Sequence, residues 1–113
     1  MPATKIPVLT LSVTAAALVL EHRALTQAGN YPAAGAKIFG VGTEDAEAIG
    51  AQVPVDVIGT TIGEAGAAIA LDADLEVNAS GQFITRAAGV SVAKAMQAAG
   101  ALGDKLEVML LPK

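Results

Sequence analysis

From Gln52 to Thr85 polar and apolar residues alternate. Val53, Val55 and Val57 fall on one face of an extended chain, and Gln52, Pro54 and Asp56 on the other. Asp72, Asp74, Glu76, Asn78 and Ser80 repeat that period of two against Ala73, Leu75, Val77 and Ala79. Alternation of this kind predicts half-buried β-strands, and the glycines at 59, 63, 66 and 81 mark where the chain turns. The same pattern, with Thr10, Ser12 and Thr14 against Leu9, Leu11 and Val13, predicts a first strand over Ile6–Val13. Further strands are expected over 23–27, 38–42, 52–58, 60–64, 75–78, 82–85, 91–97 and 105–111, with Asn78–Gly81 as a hairpin turn. Ala15–Leu20 reads either as a helical turn or as a continuation into the next strand. Thr43–Gly50 reads as a loop carrying at most one turn of helix. The stretch 91–99 has helix-forming composition, but its alternation and its place between two turn clusters favour a strand. No period of 20–50 residues is evident.

The expected fold is therefore mainly β: a small β-barrel or sandwich of short strands with Gly-rich turns and at most one or two short helical turns. Met1–Pro7, with two prolines and no periodicity, is expected to be an extended, mobile arm ahead of a single domain over residues 8–113.

Composition changes this picture in one respect. Hydrophobic residues make up 53% of the 113 residues, yet aromatics are only 3% and charged residues 16%, against a usual charged share of ~25%. Alanine supplies about a fifth of the chain. Small side chains bury little area each, so such a core is weakly stabilised at roughly 25 cal/mol per Å². Few charges and much small apolar surface suggest that another chain covers part of it. The net charge of −4 and the scattered lysines and arginines exclude nucleic-acid binding by phosphate neutralisation. The charge-free run Ile6–Leu20 is too short and too interrupted for a membrane helix, and its polar residues at 10, 12 and 14 alternate as in a strand instead of leaving the continuous apolar stretch of a signal peptide. With no cysteine there is no disulfide framework and no thiolate metal site.

Candidate chemistry is sparse. The lone histidine, His22, follows Glu21, but strand neighbours point to opposite faces, so His22 reads as an exposed strand-edge residue rather than a general base. Asp72, Asp74 and Glu76 have a spacing that suggests Ca²⁺. On a strand, however, their Cβ atoms stand about 6.5–7 Å apart and cannot surround one ion, so the row reads as a solvated face. No G-x-x-x-x-G-K-[ST] cradles a phosphate and no G-x-S-x-G presents a nucleophile. Tyr31, Phe39 and Phe83 are too few for a base-stacking platform and read as core or interface anchors. No catalytic residue, cofactor or metal is expected.

The order of Pro32–Gly42, Val53–Thr60, Glu64–Ile69, Leu75–Gly81 and Asp104–Pro112 resembles that in small tailed-phage capsid cement or head decoration proteins, similar in kind to the lambda head decoration protein. The resemblance spans Ile6 to Pro112. Relatives have also carried a RecA/RadA-type recombinase label, which the missing phosphate-binding loop contradicts here. The resemblance implies a non-enzymatic β-rich module on the exterior of a phage capsid, present in the host cytoplasm during assembly. It would bind the major capsid protein and itself, as a homotrimer or a dimer, and would bind neither nucleic acid nor membrane. Such proteins clamp adjacent capsomers, frequently with a terminal arm, which points to Pro2, Thr4, Lys5, Ile6 and Pro7 as capsid contacts. The alternative on the sequence is a small β-barrel that binds a ligand or host molecule without catalysis.

Overall fold

The computed structural model describes residues 4–111. Eight strands order them: β1 (Pro7–Thr14), β2 (Ala24–Leu25), β3 (Gly40–Gly42), β4 (Gln52–Glu64), β5 (Asp74–Val77), β6 (Phe83–Thr85), β7 (Ala93–Ala95) and β8 (Lys105–Leu110). The described residues contain no helix, so Ala15–Leu20, Thr43–Gly50 and 91–99 form none. Strand pairing runs β2-β3-β4-β8-β7-β5-β6, with β1 also on β4. Every strand pairing is antiparallel. A bridge from Ala65 to Phe83 brings β6 back to the end of β4, and the sheet nearly closes into a barrel.

The strands expected over 52–58 and 60–64 are one continuous strand. Gly59 does not turn the chain. It takes φ 102° inside β4, and the register between β1 and β4 slips beside it. Such a φ suits glycine, and a side chain here would collide with the Ile6 carbonyl oxygen and the Val8 amide. β4 is long because it serves two cores. Val53, Val55 and Val57 pack with Val13, Val19 and Leu25 in one. Beyond Gly59 the strand joins a second, in which Phe83 packs with Leu75, Leu106 and Val108. Gly63 stands directly under the Phe83 ring, where a Cβ would overlap it.

The two cores are built alike, because the chain repeats its own architecture. Thr10 to Thr14 pair with Asp56 to Gln52, and Thr60 to Glu64 pair in the same sense with Met109 to Lys105. Val41 and Gly42 pair with Asp56 and Val55, as Lys94 and Ala95 do with Met109 and Val108. Val19 bridges Ala46 and Ile69 bridges Ala99, so the first limb recurs 50 residues on and the second 53. The special backbone positions recur too: His22 and Asp72 both have positive φ (63° and 72°), as do Gly50 and Gly103 (93° and 91°). β1 thus corresponds to the second half of β4, β2 to β5, β3 to β7, and the first half of β4 to β8. The expectation of no internal repeat is corrected. Burial recurs where identity does not: Val13 with Gly63, Val19 with Ile69, Val53 with Leu106, and Val57 with Leu110 are all buried. The structure thus has a two-fold repeat whose limbs recur at two different spacings, one at the upper end of the periods considered in the sequence and one beyond it.

Phe83 is the one fully buried aromatic side chain among the described residues. Phe83→Ala should lower the free energy of unfolding by about 3–5 kcal/mol, read from equilibrium urea denaturation. A loss below about 1 kcal/mol would show that the ring is not the packed centre of its core.

Candidate functional site

Asp56 lies on β4 just before the bulge, and only 1% of it is exposed. Three groups from separate parts of the chain donate to its carboxylate: Lys5 Nζ at 2.9 Å, Thr10 Oγ1 at 2.8 Å and Thr61 Oγ1 at 2.8 Å. Burial alone would push the carboxyl up. The bonds from Lys5, Thr61 and Thr10, with the Lys5 charge, outweigh it and hold Asp56 below the usual carboxylate range. The same contacts strap the segment ahead of β1 along β4. The Ile6 amide donates to Thr60 Oγ1 (2.7 Å) and the Thr60 amide to the Ile6 carbonyl (3.1 Å). Thr4 Oγ1 reaches Glu107 Oε1 at 3.4 Å.

The strap and the strands beside it carry exposed apolar side chains. Ile6 and Val8 are each 74% exposed, and Leu9, Leu11, Ile58 and Met109 are exposed as well. Leu9 stands opposite Ile58, and Met109 opposite Thr60. No charge occurs from Ile6 to Leu20. Exposed, long, uncharged strands are unusual in a chain that stays alone in water. Of the residues expected to form a contact arm, Thr4, Lys5 and Ile6 lie in this strap, Pro7 opens β1 opposite Gly59, and Pro2 is outside the described residues. Sequence reasoning missed Val8, Leu9, Leu11, Ile58 and Met109, although the charge-free run was the signal for the first three.

Other candidate groups have structural duties. The Asp72, Asp74 and Glu76 row is not a solvated strand face. Asp72 lies in a turn and pairs with Lys94 Nζ at 2.6 Å, which raises the lysine's pKa. Only Asp74 and Glu76 belong to β5, and Glu76 is buried, accepting the amides of Ala87 and Gly89. Those amides hold its carboxyl below the usual range. His22 also departs from expectation: it occupies a turn, not a strand edge, and its Nε2 lies 3.8 Å from Glu21 Oε2. Glu64 joins the two halves, accepting from Arg23 at 2.7 Å, Lys105 at 2.8 Å and Gln82 at 2.6 Å. Burial opposes ionisation there, but Lys105, Gln82 and Arg23 keep the carboxyl low. An open groove between Lys37, Phe39, Val90, Val92 and Leu111 is mostly apolar. Among the described residues no three of His, Asp and Glu are placed to hold a metal ion. No helix among them is long and apolar enough to cross a membrane.

A family model described as phage cement protein matches residues 3–110. Among solved structures the chain is similar to the head fiber gp8.5 N base of bacteriophage phi29, known from its crystal structure. The TM-score is 0.74 and the identity 16%, over 91% of this chain and 93% of that one. At that identity the likeness is one of fold. No curated protein matches the sequence.

Asp56, Glu64 and Glu76 all have folded-state values below their unfolded ones. Their contribution to stability is complete above the unfolded carboxylate range and is lost as pH falls through the lower folded values. The melting temperature should therefore hold from pH 7 to about 5 and fall below about pH 4. Asp56→Asn should cost about 1–3 kcal/mol at pH 7 and make the acid fall shallower. Circular dichroism melts across pH check both, and an unchanged acid limb in the variant would remove Asp56 from this account.

Proposed function

The chain belongs to the phage cement protein family, and from that premise we propose that it binds the outer surface of a phage head and stabilises contacts between capsomers. Family and fold support a structural phage head protein. The major capsid protein is the proposed partner, with the cement protein added as a homotrimer on the capsid exterior after synthesis in the host cytoplasm. Its work is adhesion, without a catalytic step.

The observation that carries this reading is the apolar surface around the strapped arm. Ile6, Val8, Leu9, Leu11, Ile58 and Met109 all stay exposed on the folded chain. Burial against a partner is worth roughly 25 cal/mol per Å² before the costs of association. A modest patch gives modest affinity per copy, and occupancy of a shell then rests on many equivalent sites and on avidity within an oligomer. Thr4, Lys5, Ile6 and Pro7 form the inner edge of the proposed capsid contact, with Pro2 ahead of them. Lys5 is held by Asp56, so the contact is presented by a fixed strap at this point.

Removing residues 1–4 keeps the Lys5–Asp56 bond and should leave the thermal melt nearly unchanged. It should lower affinity for empty expanded shells about tenfold, a loss of about 1.4 kcal/mol, measured by co-sedimentation. Equal occupancy by the shortened and full chains would sink the arm contact while leaving the cement role standing.

A further inference from the structure

The duplicated architecture allows each surface residue to be compared with its counterpart in the other half. At some positions that are buried in one half and more exposed in the other, an apolar residue gives way to a charged one: buried Ala24 corresponds to exposed Asp74, and buried Val41 to half-exposed Lys94. Ile49 and Leu102 are exposed and apolar in both halves. They are counterparts, each precedes a glycine of positive φ (Gly50 at 93°, Gly103 at 91°), and both are large, apolar and exposed, at 74% and 68%. A Cβ on either glycine would meet nothing within 4 Å, so both tips are open. The turns are pinned identically. The Gly50 amide donates to the Ala15 carbonyl and that of Gly103 to the Ala65 carbonyl, both at 2.8 Å. Around the tips the chain has diverged: Glu44 and Glu47 flank the first, and their counterparts at the second are Gln97 and Gly100. What the halves share is a turn, pinned by the same backbone bond, that holds one bulky apolar side chain out in water.

We infer that Ile49 and Leu102 are twin anchors, each seated in an apolar socket on one of two neighbouring copies of the same partner protein. A duplicated prong fits a partner that itself repeats, and each pinned turn lowers the ordering cost of its anchor. Engaging two sockets with one chain makes the second contact intramolecular, which gains avidity without new chemistry. This rests on the cement reading above and names the contacts that would bridge two subunits of the shell.

The test compares wild type, Ile49→Asp, Leu102→Asp and the double variant in co-sedimentation with empty expanded shells, with sedimentation equilibrium of each chain alone. Exposed tips leave the fold intact, which circular dichroism melts verify, and Ile49→Ser and Leu102→Ser serve where an acid disturbs a turn. Each single variant should lose about tenfold or more in affinity, and the double variant should lose more than either. Wild type that binds while all variants bind equally overturns the anchors and leaves the cement reading in place. Wild type that does not bind shells overturns both. Variants that fall from oligomer to monomer while shell affinity per chain is unchanged would assign the tips to a second copy of this chain and overturn the bridge.

Discussion

Asp56 sits where three parts of the chain must agree. A carboxylate almost wholly out of water costs several kcal/mol unless its oxygens are met by donors. Here the donors come from the arm (Lys5), from the first strand (Thr10) and from the far side of the Gly59 bulge (Thr61). The charge therefore fixes the path of the arm, the slipped register of β1 and the point at which β4 leaves one core for the other. Its counterpart in the second half is Met109, which has no such duty and is exposed. The repeat is thus symmetric in backbone and asymmetric in its polar chemistry, and the asymmetry lies at the junction.

Small residues let two cores share so short a chain. Alanines at 15, 46, 65 and 99 are buried where the limbs of each half cross, and bridges at Val19–Ala46 and Ile69–Ala99 tie those crossings. Larger side chains there would drive the limbs apart. The penalty is a weak hydrophobic term per residue, offset by dense backbone hydrogen bonding and by ion pairs that cross the junction. Glu64, held by Arg23 from the first half and Lys105 from the second, is the clearest of these. It is the other place where breaking one side chain would loosen one half from the other.

Much of the fold was legible because period-two alternation reports burial directly. Val53, Val55 and Val57 face a core as their spacing says, and the Asn78–Gly81 turn joins β5 to β6. Three things were hidden. Gly59 reads as a turn in sequence, yet glycine also permits a bulge, and only the pairing of β1 and β8 along β4 distinguishes the two. The acid row continues the alternation through Asp72, but alternation cannot show that Asp72 has positive φ or that Glu76 is met by loop amides. The duplication was invisible because what recurs is burial and hydrogen-bond geometry. Val13 against Gly63 and Asp56 against Met109 share no chemistry, and the two limbs recur at different spacings. The charge-free run Ile6–Leu20 was visible from the start, but its consequence, an exposed strand, depends on how little of the chain folds over it.

That exposed strand bears on how adhesion and stability divide within the molecule. The residues that make each core are buried within the chain, and Val13 and Ala15 are the buried members of the charge-free run from Ile6 to Ala15. The rest of β1 is held by backbone pairing to β4 and by the polar clasp at Asp56, neither of which consumes its apolar side chains. Those side chains remain free to be buried elsewhere. A protein that used them in its own core would gain stability and lose its adhesive surface. Clasping the strand through hydroxyls, a lysine and one buried carboxylate avoids that conflict, because it fixes the strand's position by directional bonds and leaves its hydrophobic area unspent.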